Sequence, residues 1–338
     1  MQPQKDKETI INEVFKICLI LIYTVFFRKK CENKKKFMKL IYERKNLGKS
    51  IPLMALMAAI NIIVAELAGL SPIVSIFLIL VLPLTSAIVE LCCKDRYFPI
   101  YAFATFGLSL ALTFWNIETT IFYVFPSIVT GYIFGFMAKH KIPAVWSIFT
   151  AILAQMSITF ALIPFINFVF QVDMVRTFKV AFMVENMVYV DIMIPTFVFL
   201  ISLIQCSLSQ IIVSQELQRF GLNSETKDVF DIIAFGFGSL IALLIIPFYF
   251  FSLEAAYLCL AISIYFACYS LTTIIVNKKF YWLIPSGVAL LITVLLFSLV
   301  QSYLKEASQF LLFGILSTCI CLISLLFSFL KKKKEKIQ

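Results

Sequence analysis

A single histidine, His140, serves a chain of 338 residues, and only ten residues are glycine. Metal sites and imidazole chemistry need several His, or Cys and His at short spacing. Cys92-Cys93 and Cys319-x-Cys321 stand without such partners. Zinc proteases and histidine-dependent acyltransferases are therefore not supported, and no metal or cofactor is expected. Charge is scarce as well: Asp, Glu, Lys and Arg make up 14% of the chain, against 61% hydrophobic residues. A soluble domain of this length exposes far more charge. Few glycines argue against a channel or carrier rich in broken helices, and no clear internal repeat supports a transporter of two matching halves.

An ATPase is missing too. Gly48-Lys49-Ser50 resembles the end of a P-loop, but a P-loop needs glycine five residues earlier, where Glu43 stands. Lys49 reads instead as a cation flanking a membrane segment. None of the nine cysteines falls in a connection assigned to the outer face, so no disulfide framework is expected.

What the chain has is apolar length. Apolar stretches run over roughly 51–70, 72–93, 98–115, 118–138, 142–170, 187–213, 229–251, 254–276, 280–301 and 308–330. Most approach the length at which a helix crosses about 30 Å of hydrocarbon. The pattern predicts an all-α, polytopic transmembrane helix bundle of about ten spans. Alternate connections carry the positive charge. One set holds 23 of the 29 Lys and Arg, including Lys94, Arg96, Lys139, Lys141 and the tail Lys331 to Lys336. The opposite set holds Arg176, Lys179 and Lys305. Short positive connections stay inside, so the basic set and the C-terminus are expected in the cytoplasm, with the chain a multi-pass protein of a bacterial plasma membrane. The net charge of +10 is spread over these loops. It serves topology and attraction to anionic lipid headgroups rather than nucleic-acid binding.

The chain divides into four parts. Residues 1–50 hold a basic segment and a short apolar stretch, 11–27. Lys16 interrupts that stretch and Arg28-Lys29-Lys30 follows it. It reads as an interfacial helix or an eleventh span, and it lacks the marks of a signal peptide. A six-helix unit covers 51–213, a polar cytoplasmic loop 214–228, and a four-helix extension with a basic tail 229–338.

The first long span reads KSIPLMALMAAINIIVAELAGL. Pro52 suits a helix start. Ala55 and Ala59, four apart with Ala58 between, form a stripe where another helix can approach closely. Six spans opening on basic residues and then ALMAAINIIVAE resemble the substrate-binding S components of energy-coupling factor (ECF) vitamin transporters. They also resemble the longer YybS-type membrane proteins. The resemblance covers roughly residues 48–225, and the loop ELQRFGLNSETKD belongs to it. It implies that Ala55 and Ala59 dock on a transmembrane T component, whose ATPase partners supply energy.

The outer face is expected to be acidic, with Glu66, Glu118, Asp173, Glu185, Asp191, Glu254 and Glu306. Ionisable groups at membrane depth are costly unless paired or wetted. An apolar wall with a few polar anchors suits a small ligand. The candidate pocket comprises Asn61, Glu66, Trp115, Asn116, Arg176, Asn186, Tyr189 and Asp191. Arg176 is placed to neutralise Glu66 or Asp191, or to meet an anionic ligand. Pro164 and Pro195 break backbone bonding toward the same side. The leading expectation is a non-enzymatic binding and transport subunit that captures a small molecule and works with other membrane subunits. Two alternatives stay open. One is a membrane scaffold whose basic loops recruit partners. The other is a membrane enzyme acting on lipid or polyprenyl-linked substrates.

Overall fold

The computed structural model describes residues 46–70, 72–112, 120–171, 173, 175–176, 190–219, 228–276, 283–304, 314–326 and 328. All lie within one compact unit, Arg44–Gln338. The N-terminal apolar stretch 11–27 lies outside the described residues.

The described residues are helical almost throughout. In chain order the helices are α1 Leu47–Leu70, α2 Pro72–Cys92, α3 Phe98–Leu112, α4 Phe125–Lys139, α5 Ala144–Phe170, α6 Val190–Arg219, α7 Asp228–Phe251, α8 Leu253–Val276, α9 Leu283–Leu304 and α10 Gly314–Leu326. A 3₁₀ turn, Asp95–Tyr97, leads into α3, and a π-helical turn, Thr120–Val124, leads into α4. Within α1, α5, α6, α7 and α8 lie five segments long and apolar enough to cross a membrane. The chain is thus a membrane-embedded helical protein. Shorter apolar stretches occupy α2, α9 and α10.

α1 begins at Leu47, ahead of Pro52, so Pro52 sits inside the helix rather than opening it. Its missing N–H leaves the Gly48 carbonyl without its helical donor. In the first turn the Asn46 carbonyl accepts from the Lys49 and Ser50 backbone N–H groups at 3.1 and 3.2 Å and from the Ser50 hydroxyl at 3.1 Å. Pro164 and Pro195 likewise lie inside α5 and α6. α5 ends at Gln171, whose φ of 53° gives a left-handed cap.

Packing centres on α2, which meets α1, α4 and α6. Its seam with α4 is the closest. Gly131 and Gly135, four apart on α4, face the α2 backbone. A side chain on Gly131 would overlap the Pro83 carbonyl and come within 2.5 Å of Ser86 Cβ. One on Gly135 would come within 2.8 Å of the Ala87 carbonyl. Glycine is required here because backbone meets backbone. α6 packs on α5 and α8 as well. Two further links bind α5 to its neighbours. Gln155 donates to Gln205 of α6 at 2.5 Å, and Tyr265 of α8 donates to the Val145 carbonyl at 2.5 Å. α10 joins α7 and α8, where Cys321 packs beside Gly238, Ala267 and Ile320.

Hydroxyls in these helices mostly bond back one turn, as Thr130 does to the Pro126 carbonyl at 2.9 Å. That satisfies them without water, as an apolar medium demands.

Candidate functional site

α1 has two faces. Met54, Ala58, Asn61, Ile62 and Ala65 are buried, while Ala55, Ala59 and Glu66 are exposed. Five helical positions rotate a side chain by about 140° from its start, so Asn61 and Glu66 part company. Asn61 faces the bundle and Glu66 its surface.

The Ala55/Ala59 stripe lines an apolar groove of about 440 Å³. α1 forms one wall, and Ile100, Ala104, Leu108 and Leu112 of α3 form the other. None of the described helices covers it: both alanines remain exposed. The stripe does not serve packing within the described bundle.

Behind this groove, α3 turns Tyr101, Thr105 and Ser109 inward, each one turn from the next, and all three are buried. The Tyr101 hydroxyl donates to Thr85 at 3.4 Å and lies 3.4 Å from the Ser86 hydroxyl. Ser109 and Thr120 share a hydrogen bond of 3.0 Å. Between them the Thr105 hydroxyl has no partner, and neither amide atom of the fully buried Asn61 has one. These are the unsatisfied polar groups of this part of the core. An unpaired buried amide costs about 1–3 kcal/mol on mutational scales. Asn61→Leu is therefore expected to raise the thermal stability of the purified chain by about that amount. An unchanged or lowered midpoint would mean that the amide is not an uncompensated cost in the folded chain.

Of the other candidate residues, only Arg176 has a described side chain. Arg176 is exposed, and its backbone N–H donates to the Asp173 carboxylate at 3.0 Å. Among the described residues no ion pair joins it to Glu66. Trp115, Asn116, Asn186 and Tyr189 lie outside the described residues. Asp191 lies in the first turn of α6, its side chain outside them as well.

A second cluster, absent from the sequence-based list, lies where α2 and α4 end. Lys139 donates to the carbonyls of Glu90 at 3.2 Å and Cys93 at 3.0 Å, and to the Asp95 carboxylate. Its ammonium is 3.8 Å from the carboxyl of Glu90, which is fully buried. The cation thus caps the C-terminus of α2, where the helix dipole favours it. The Lys139 hydrogen bond is the main reason the Asp95 carboxyl sits below its ordinary pKa, against the opposing effect of partial burial. The Lys139–Asp95 attachment is fully present above the ordinary Asp value and fades as acid protonates Asp95. A lone acid in the apolar run AIVELCC was the available signal. Among the described residues no group of His, Cys, Asp and Glu is placed to hold a metal ion.

Compared with protein-family models, curated proteins and solved structures, the chain matches none.

Proposed function

We propose that this chain is the binding and transport subunit of a bacterial plasma-membrane complex. It crosses the membrane about ten times, with its C-terminus in the cytoplasm, and takes a small molecule from the outer face. Partner subunits supply the energy. One observation carries the reading: Ala55 and Ala59 lie exposed in an apolar groove that no described helix of the chain fills. Small residues in such a groove admit a second helix at close range. The occupant is a membrane helix of a partner subunit. The unsatisfied Asn61 amide supports a polar ligand in the core behind it.

Tagged wild-type chain, extracted in mild detergent, is expected to bring down a membrane subunit with an attached ATPase. Protein mass spectrometry identifies them, and small-molecule mass spectrometry identifies the ligand. Ala55→Leu/Ala59→Leu fills the groove. Overpacking of this kind costs about 1–3 kcal/mol, so affinity for the partner should fall by roughly five- to 150-fold, and its recovery with it. Because these side chains are exposed, the thermal stability of the isolated subunit should not change. Equal recovery from wild type and variant would refute docking at the groove. A wild-type chain that brings down only non-energising partners would favour the scaffold reading.

A further inference from the structure

The cluster at the ends of α2 and α4 holds two carboxylates and one ammonium. Lys139 donates to Asp95 and to two carbonyls, while Glu90 lies 3.8 Å away. Both carboxyl oxygens of Glu90 are buried and lack a hydrogen-bond donor. We propose that Glu90 is a proton-binding site: it holds a proton while the ends of α2 and α4 are closed on each other, and their separation releases it.

The charge balance carries the argument. Lys139 is neutralised by Asp95, whose side chain is 46% exposed and hydrated. An ionised Glu90 would then be a second negative charge, fully buried, with no donor at hydrogen-bond distance and the Lys139 ammonium standing 3.8 Å away. Buried charge is tolerated only when paired and hydrogen-bonded. A neutral carboxyl removes the uncompensated charge, and Asp95 is among the groups that act on Glu90. The titratable groups acting on Glu90 are Lys139 of α4 and Asp95 of the 3₁₀ turn, and Glu90 acts in turn on Tyr132 of α4. Among the described residues, α1 and α6, which also pack on α2, supply none of its charged partners.

Glu90 is tied to closure by position. A Cβ on Gly135 would come within 2.7 Å of Glu90 Cβ. The approach that permits α2 to meet α4 is thus the same approach that excludes water from the acid. Opening the seam wets the carboxyl: its O–H bond breaks, the proton passes to water, and the carboxylate is left hydrated. The sign follows. Closure and retention of the proton are one linked equilibrium, so raising the pH favours the open seam.

The full chain in lipid nanodiscs tests this by two measurements. Infrared spectra at pH 7 should show a protonated-carboxyl band in wild type that is missing from Glu90→Gln. Amide exchange over residues 84–93 and 131–139, corrected for the intrinsic pH effect, should quicken about tenfold between pH 7 and pH 9 in wild type. Glu90→Gln, a permanently neutral isostere, should stay flat. The α7–α8 pair is the internal reference and should not respond. If Glu90→Gln does not fold, the wild-type exchange profile decides alone. An acid band unchanged by Glu90→Gln, or a wild-type seam no more pH-responsive than α7–α8, would overturn the proposal.

Discussion

Replacing Gly131 with alanine is expected to unfold the α2–α4 seam, at a cost of about 3 kcal/mol or more. Overpacking a well-packed core commonly costs about 1–3 kcal/mol, with larger values where nothing can yield. The new methyl would overlap the Pro83 carbonyl and reach within 2.5 Å of Ser86 Cβ. A carbonyl inside a helix cannot rotate away as a side-chain end can, so the whole of α4 must retreat. That retreat would also withdraw Lys139 from the end of α2. Gly107→Ala on α3 is the control, because a Cβ there meets nothing within 4 Å. Removing glycine from a helix interior should stabilise by roughly 0.5–1 kcal/mol. Thermal unfolding of both variants in one detergent checks the pair. Equal midpoints would mean that the seam is not packed as described.

Tyr269→Phe is expected to destabilise by about 1–3 kcal/mol, the cost of leaving a buried hydrogen-bonding group without one of its partners. Tyr269 of α8 is almost completely buried and donates to the buried Asp231 of α7 at 2.5 Å. Phenylalanine keeps the ring and its contact with Phe235, whose centroid lies 5.7 Å away. The loss is therefore confined to the hydroxyl and its bond to Asp231. Tyr265→Phe removes a neutral bond to the Val145 carbonyl and should cost less, about 0.5–1.5 kcal/mol. Reversal of this order in unfolding experiments would place the stronger link between α8 and α5.

Several features of the site were legible before the fold. The i, i+4 alanines predicted a stripe open to close approach, and the structure leaves Ala55 and Ala59 exposed in a groove. The same reasoning applied to GYIFG would have found Gly131 and Gly135. Rotation by about 100° per residue would have separated Asn61 from Glu66. Other features were not legible. Lys139 and Asp95 are 44 positions apart, and a lysine after a membrane helix reads first as a topological charge. Whether it also serves a buried acid depends on which helices pair.

The sequence by itself determined that the chain is a helical membrane protein, because long apolar runs leave only intrahelical bonding for the backbone. It also determined where charge is concentrated, because cations are costly in hydrocarbon. Only the tertiary structure decided which face of each helix is buried. The apolar residues of a membrane helix suit both lipid and protein neighbours, so hydrophobicity does not distinguish the two sides. Backbone approach does: glycine let α4 meet α2, Asn61 was turned into the bundle, and Glu90 was sealed beside a lysine already committed to Asp95.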